Sequence, residues 1–444
     1  MLILRLKKCT LGFISLILTS LLILTSCKTQ IANNQNQTVP APTDQLVIYC
    51  PPIMYQKMDY AKTIFEKEFP QVELTFRTFG EYDNKDSTLE FNEILTTELT
   101  AGRGPDLVCF CWDTFPDMYK VMDAGVFYDI DLLLEHDLSF DKTNYLEPIF
   151  NGGVYKNQRL FIPLTYYPAY VMAWGPTLQA SGVAIPKQPN YVEWTDSIVQ
   201  FYETHSTEEN WKIFDPLYPR FDFFLIYSGL EIVNYETKEL NIDQPAFRQF
   251  MEIFRSLYPY SCTDLEGKTP WRAGTTEENL YAMQKSGTML FDITTNDEFV
   301  FEGLIGDRGW QLDTFFSFPR INGEKTIGMG RQFVAINNAS PNKANAYEYM
   351  KILLSDKVQN DLYSFQPIHK TALANLTSES YLRDMEGVQP NEFGIAQGVE
   401  YYRNYSGHII DITYQTMLPF FEWKSSYEDC LQELRSKLTL YLYE

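Results

Sequence analysis

Hydrophobic and polar positions recur along this chain with two different periods, and the changes of period mark out its elements. Residues 46–50 are a short apolar run that stops at Pro51-Pro52, where proline's missing N–H and fixed φ end a ladder. A strand followed by a loop is therefore predicted. From 54 to 69, Met58, Ala61, Ile64, Phe65 and Phe69 return at helical spacing, and 72–76 alternates as a strand does. Residues 92–99 are helical again and run into Ala101-Gly102-Arg103-Gly104-Pro105, after which 106–110 forms a third strand. Strand, helix, strand, helix, strand implies a parallel sheet. Ligands of such sheets sit beyond the carboxyl ends of the strands. The loops at Pro51-Pro52 and at Trp112-Asp113 are thus the first places to look.

The first 26 residues follow a different pattern. Arg5, Lys7 and Lys8 precede an uncharged, mostly apolar stretch over 11–24, the order of a translocation signal. A membrane-spanning helix needs about 18 or more consecutive apolar residues, and Gly12, Ser15, Thr19 and Ser20 interrupt this one. Leu24-Thr25-Ser26-Cys27 then resembles a lipobox, so Cys27 is expected to become the lipidated N-terminus after cleavage. Residues 28–44 carry two prolines and almost nothing apolar. Such a segment cannot bury enough surface to order itself and is expected to act as a tether, reaching several tens of ångströms at about 3.3–3.6 Å per residue.

Composition narrows the partners. The chain beyond the leader exceeds what one core usually serves, so two lobes are expected. Hydrophobic residues make up 45% of the sequence, enough for a globular body, and no fixed-period repeat is visible. The formal charge of −22 becomes about −25 once Arg5, Lys7 and Lys8 leave with the signal. Nucleic acid is excluded as a partner, because its binding depends on Lys and Arg neutralising phosphates. Acidic wall polymers are disfavoured for the same reason. Five cysteines stay in the body: Cys50, Cys109, Cys111, Cys262 and Cys430. An odd count is no disulfide framework. Those at the ends of apolar runs read as small buried side chains, with a single bridge between strand ends left open.

No Gly-x-Ser-x-Gly elbow, phosphate-binding Gly-x-x-x-x-Gly-Lys or His-Glu-x-x-His helix occurs. His136, His205, His369 and His408 lie far apart, without the ligand spacing a metal needs. Paired carboxylates could serve a glycosidase, but 58 acids give that idea no discriminating power. The loops carry flat rings beside hydrogen-bonding groups: Tyr55, Trp112 with Asp113, Tyr166 with Tyr167, Trp271 with Arg272, and Asp292 with Thr294. Aromatic rings match the weakly apolar faces of a pyranose, and planar polar groups match its hydroxyls. Most rings in a chain that is 15% aromatic must nevertheless be core. Trp112 is the exception, since it follows directly on a buried strand.

The order of several segments resembles the family 1 extracellular solute-binding proteins, the sugar receptors that feed ABC importers. Residues 97–107, from Thr97-Glu98-Leu99 through Gly102 and Gly104 to Pro105-Asp106-Leu107, are similar to that family's helix, glycine turn and Pro-Asp strand. Asp123-Ala124-Gly125-Val126-Phe127-Tyr128-Asp129 is similar to the segment that follows. Residues 153–174 resemble a strand that crosses to a second lobe, with Trp174 where asparagine is common in the family. Residues 281–290 and 333–344 resemble later elements, the second of them a last crossing strand with Asn337, Asn338, Ser340, Pro341 and Asn342.

The resemblance implies an α/β fold of two-lobe, periplasmic-binding-protein-like (type II) clamshell form with three interlobe crossings, expected near 162–168, 262–270 and 318–330. It implies a signal over 1–26, a tether over 27–44, a first lobe from 45–165 and 268–320, and a second from 166–267 and 321–444. It also implies a non-enzymatic, monomeric receptor on the extracellular face of the cell membrane, held by lipid alone. Its partners would be a small solute, expected to be a sugar, and ABC permease subunits, with no cofactor and no metal. Rival solutes are a peptide, a polyamine or a polyol phosphate, and a rival role is that of a sensor subunit. The family carries ligand-contacting Trp and Asp residues where Trp112 and Asp113 stand. Arg331, on the last crossing strand, completes the candidate set with Tyr55, Tyr166, Tyr167, Trp271, Arg272, Asp292 and Thr294.

Overall fold

The computed structural model describes residues 43–77, 79, 85–111, 114–115, 117–167, 169–173, 182–184, 190–204, 221–258, 291–295, 314–317, 327–360, 366–378, 401–402 and 407–444. They belong to the compact unit Pro42–Glu444. Cys27, the leader and Cys262 lie outside the described residues.

The first strands follow the pattern of the sequence closely. β1 (Gln45–Tyr49), β2 (Glu73–Arg77) and β3 (Leu107–Cys111) are parallel, with β1 between the other two. Every residue of β3 is buried, which is why it reads as an unbroken apolar run: a parallel strand covered on both faces has no polar side. The helix Tyr55–Glu68 covers one face with Met58, Ala61 and Phe65. Phe91, Leu95 and Leu99, one helical turn apart on Lys85–Thr100, lie in the core on the other face. That second helix ends where Gly102 takes a φ of +66°. There Arg103 N–H donates to the Glu98 carbonyl at 3.0 Å and Gly102 N–H to that of Leu99 at 3.0 Å, the closure that a left-handed glycine allows.

The short hairpin of β4 (Val154–Tyr155) and β5 (Gln158–Arg159) leads into β6 (Ile162–Tyr167), and β7 (Ala169–Ala173) follows one residue later. The two belong to different sheets. β6 is hydrogen-bonded into the first sheet, whereas β7 is the centre of a second one. After the hairpin β8 (Val233–Asn234) and β9 (Glu239–Leu240), the strands β10 (Phe291–Thr295) and β11 (Thr314–Ser317) both pair antiparallel to β7. β12 (Ile327–Ile336) then runs back into the first sheet between β6 and β3, antiparallel to both. β13 (Gln366–Pro367) extends that sheet beyond β6, and β14 (Tyr401–Tyr402) pairs with the start of β12.

Two cores result. The first lies on both faces of the β13-β6-β12-β3-β1-β2 sheet and includes Tyr347, Tyr349, Met350 and Leu353 of the helix Lys343–Leu354. The second is built by Trp194 and Ile198 of the helix Tyr191–Thr204, Phe221 and Phe224 of Phe221–Tyr227, Phe247 to Leu257 of Pro245–Leu257, and the C-terminal helices Gly407–Phe421 and Tyr427–Tyr443. β12 touches both, with Met329 in the second core and Val334 and Ile336 in the first.

This pairing corrects two expected assignments. Residues 291–295 and 314–317, assigned by sequence to the first lobe, are bonded to β7 and so belong to the second. Most of 327–378, assigned to the second lobe, belongs to the first, because β12, β13 and the helix Lys343–Leu354 complete its sheet and core. The described residues change lobe between 167 and 169, along β12 and between 378 and 407, and the expected crossing near 262–270 lies outside the described residues. The tether is also shorter than expected. Thr43 is fastened to the body by Asn345, whose Nδ2 donates to the Thr43 carbonyl at 3.0 Å, and Glu73 N–H donates to the Asp44 carbonyl at 2.7 Å.

Candidate functional site

The two ends of the first sheet are built differently. At the amino end of β3, Asp106 is nearly buried and is surrounded by donors. Its carboxylate accepts from Val47 N–H at 2.7 Å, Ser340 Oγ at 2.6 Å and Asn342 Nδ2 at 3.0 Å. Asn337 Nδ2 donates to the Pro105 carbonyl at 2.8 Å. The Pro-Asp and Asn-Asn-Ala-Ser-Pro-Asn segments therefore meet in space as a fastening of β1, β3 and β12, away from the ends where a ligand is expected.

At the carboxyl end, β1 runs into Pro51-Pro52 and a single turn of 3-10 helix at Pro52–Met54, which presents Tyr55 with 43% of its surface exposed. β3 ends at Cys111, and Trp112 and Asp113 lie outside the described residues, as do Trp271 and Arg272. Tyr167 is the last residue of β6, opposite Met329. Arg331 is placed at the irregularity where the register slips between Gly330 and Gln332. Bulges of this kind re-aim a side chain and concentrate beside functional sites. Asp292 and Thr294 sit on β10 opposite Met172 and Tyr170. The described candidates thus fall on strands at or next to the change of lobe, with the exception of Tyr55, which opens the helix Tyr55–Glu68 and not a loop as expected.

Tyr166 differs from the expectation of a loop ring. It is fully buried in the first core and its hydroxyl has no partner, because the strand alternation turns it to the helix-covered side with Leu164 and Ile162. Burial pushes its phenol up from the ordinary range. The same rungs hold residues that the sequence reading did not single out. Thr165, Gln332 and Gln366 are each 1% exposed or less and carry unpartnered polar atoms. Only their polarity inside otherwise apolar strands could have drawn attention to them.

The thiols at this end are packed into the core. Cys50, Cys109 and Cys111 are buried and form no disulfide; burial pushes Cys50 up to about 12 and holds Cys109 well above its ordinary value. Cys109 Sγ lies 3.6 Å from Met58 Sδ, which is core packing. Among the described residues no group of His, Cys, Asp and Glu could hold a metal ion, and no helix is long and apolar enough to cross a membrane.

The lobes also touch away from the strands. Asp117, before the helix Met118–Asp123, lies with both carboxylate oxygens 3.0 Å from His408 Nδ1 and accepts from the Tyr441 hydroxyl. Tyr119 stacks on Tyr235 at 3.5 Å and 9°. Lys156 N–H donates to Glu236 at 3.0 Å.

No family model and no curated protein sequence matches the chain. Solved structures do. The sugar-binding protein MalE from Xanthomonas citri is similar with a TM-score of 0.69 and 14% identity, over 90% of this chain and 97% of that one. The cyclic alpha-maltosyl-1,6-maltose binding protein from Arthrobacter globiformis gives 0.65 and 11%, over 90% and 99%. An ABC substrate-binding protein from Listeria monocytogenes in complex with cycloalternan gives 0.62 and 15%, over 90% and 98%. At such identities the likeness is one of fold: the chain has the two-lobe α/β architecture of these binding proteins.

Proposed function

We propose that the chain is a lipid-anchored solute receptor of an ABC importer, which holds an oligosaccharide or related glycan between its lobes and performs no chemistry on it. The observation that carries this reading is the placement of the candidate residues. Tyr55, Tyr167 and Arg331 lie at the carboxyl end of the first sheet, where β6 gives way to β7 across a single residue and β12 returns. A solute lying there touches both lobes, so it favours the form in which they approach by its higher affinity for that form. Trp112, directly after Cys111, supplies a flat ring for a pyranose face, and Asp113 and Arg331 supply planar partners for its hydroxyls. The sugar-bound state of similar folds supports a glycan as the solute.

Anchoring through Cys27 places this receptor on the extracellular face of the membrane, as a monomer beside its permease. Calorimetric titration of the mature chain with maltose, α-D-tagatose, cycloalternan, spermidine and glycerol 3-phosphate tests the solute class. Binding of a neutral sugar is expected; binding of a charged solute alone overturns the glycan reading. Cys27→Ala is expected to abolish incorporation of labelled palmitate, and labelling that persists in the variant places the anchor elsewhere.

A further inference from the structure

The contacts between the lobes away from the crossing strands join two faces, each of which is braced within its own lobe. On the first lobe stand the helix Met118–Asp123 and the hairpin of β4 and β5, with Met118, Met122 and Tyr155 in one core cluster. Lys156 Nζ pairs with Asp123 and ties that hairpin to that helix. On the second lobe stand the hairpin of β8 and β9 and the helices Gly407–Phe421 and Tyr427–Tyr443. Lys238 Nζ lies 5.2 Å from the ring of Tyr443, and Asn234 Oδ1 accepts from Glu236 N–H at 3.0 Å and Thr237 N–H at 3.1 Å.

The faces meet at three places. Tyr235 stacks on Tyr119, accepts at its carbonyl from the Tyr155 hydroxyl at 3.4 Å, and packs against the cores of both lobes. Glu236 accepts from Lys156 N–H. Asp117 holds His408 Nδ1 between its oxygens and accepts from Tyr441, while Lys120 Nζ lies 4.4 Å from the Tyr441 ring. A carboxylate only accepts, so both partners donate to it, and bonds to an ionised acceptor are among the stronger ones.

The backbone supports the same reading. Lys156 and Asn157, the two residues of the β4–β5 turn, have φ of +49° and +60°. A two-residue turn with both φ positive favours Asn-Gly, yet the first place holds a lysine, whose N–H reaches Glu236 and whose ammonium reaches Asp123. Such strain persists where the surroundings over-determine it and clusters at sites with a task. Asp117 comes soon after β3 ends at Cys111, so these contacts begin at the carboxyl end of the sheet, on the side of the expected cleft. They can form there only while the lobes are approached.

We propose that they are a clasp that holds the two lobes together in the empty chain. Every partner in it is a group of the chain itself, so it needs no solute. A solute that prefers the approached form then finds it already populated and binds more tightly; that consequence rests on the receptor reading above, whereas the clasp does not.

Small-angle scattering of the dialysed mature chain without added solute tests the clasp, on the parent, Asp117→Ala, Tyr235→Ala and the double variant, each melted in parallel. Release should raise the radius of gyration by about 1 Å over the roughly 22 Å of a compact chain of this length, most in the double variant. A double variant that melts as a folded protein with an unchanged or smaller radius overturns the clasp. Should Tyr235→Ala fail to fold, Asp117→Ala combined with Tyr441→Phe decides by the same two outcomes, since it trims only a carboxylate and a hydroxyl. No solute enters the measurement, so its result is separate from whether the chain binds a sugar.

Discussion

The two ends of the first sheet use polar residues for opposite purposes. At the amino end of β3 the buried Asp106 is met by Val47 N–H, Ser340 Oγ and Asn342 Nδ2, so charge and donors cancel inside one sheet. At the carboxyl end Thr165 Oγ1, Tyr166 Oη, Gln332 Oε1 and both amide atoms of Gln366 are buried as deeply and have no hydrogen-bond partner among the described residues. Polar groups that are satisfied within the fold stabilise it, and each one buried without a partner costs about 1–3 kcal/mol. The segments of 97–107 and 333–344 that resemble a known family are dominated by the first kind, so their likeness speaks for the fold and says little of the ligand.

The largest effect is expected from breaking the satisfied end. Asp106→Ala strands three donors, one of them a backbone N–H, and should cost about 3–5 kcal/mol of folding free energy, as losing charged hydrogen bonds in a buried network does. That is a large share of the roughly 5–15 kcal/mol a domain holds. Urea denaturation of the variant measures it, and affinity per folded molecule should be unchanged. A small loss of stability would mean that the fastening is dispensable and that the contrast between the ends is one of geometry alone.

The fold was legible where one period governed a whole element. The apolar runs and helical spacings from 46 to 110 place strands and helices within a few residues of Gln45–Tyr49, Tyr55–Glu68, Glu73–Arg77 and Leu107–Cys111, although the helix Lys85–Thr100 begins well before 92 because its first turns are polar. Pairing between distant strands was not legible. Nothing local in Phe291–Thr295 says that it will lie against Ala169–Ala173, nor in Ile327–Ile336 that it will fill the gap between β6 and β3; register is a property of two strands, and period belongs to one. The site shows the same division. Tyr55 could be placed from Pro51-Pro52 and the end of β1, whereas the surroundings of Tyr166 and Gln332 depend on strands more than a hundred residues away in the sequence.

A middle-sized effect is expected from Trp112→Ala at the ligand end. Loss of a ring lying on a sugar face should weaken binding by about 1–3 kcal/mol, one to two decades in Kd, with little change in stability. Were the ring core instead, the same change would cost about 3–5 kcal/mol of folding free energy. Titration with the sugar that binds and thermal melting of the empty protein separate the two. A large fall in melting temperature with unchanged affinity per folded molecule would remove Trp112 from the site and leave the ligand end defined by Tyr55, Tyr167 and Arg331.

The smallest effect belongs to Lys343, beside the fastening. Its ammonium donates to the Ser340 carbonyl at 2.5 Å and lies 5.3 Å from the ring of Tyr128. Burial lowers its pKa from the ordinary 10.5, with Asp106 opposing the shift. The unfolded chain therefore keeps this proton to a higher pH than the folded one, and stability must rise as pH climbs from the lowered value toward 10.5. Lys343→Met removes that dependence. Near pH 7 the two proteins should differ by no more than about 0.5 kcal/mol, since the lost hydrogen bond and the relieved desolvation oppose each other. As pH rises toward 10.5 the parent chain should gain on the variant. The phenol of Tyr128, which burial raises, is present in both proteins, so its titration largely cancels in the difference. Urea denaturation at three pH values reads that difference directly. A gap that stays constant with pH would show that the ammonium at the fastened end is as well solvated as in the unfolded chain, and that its polar balance rests on Asp106 and its three donors alone.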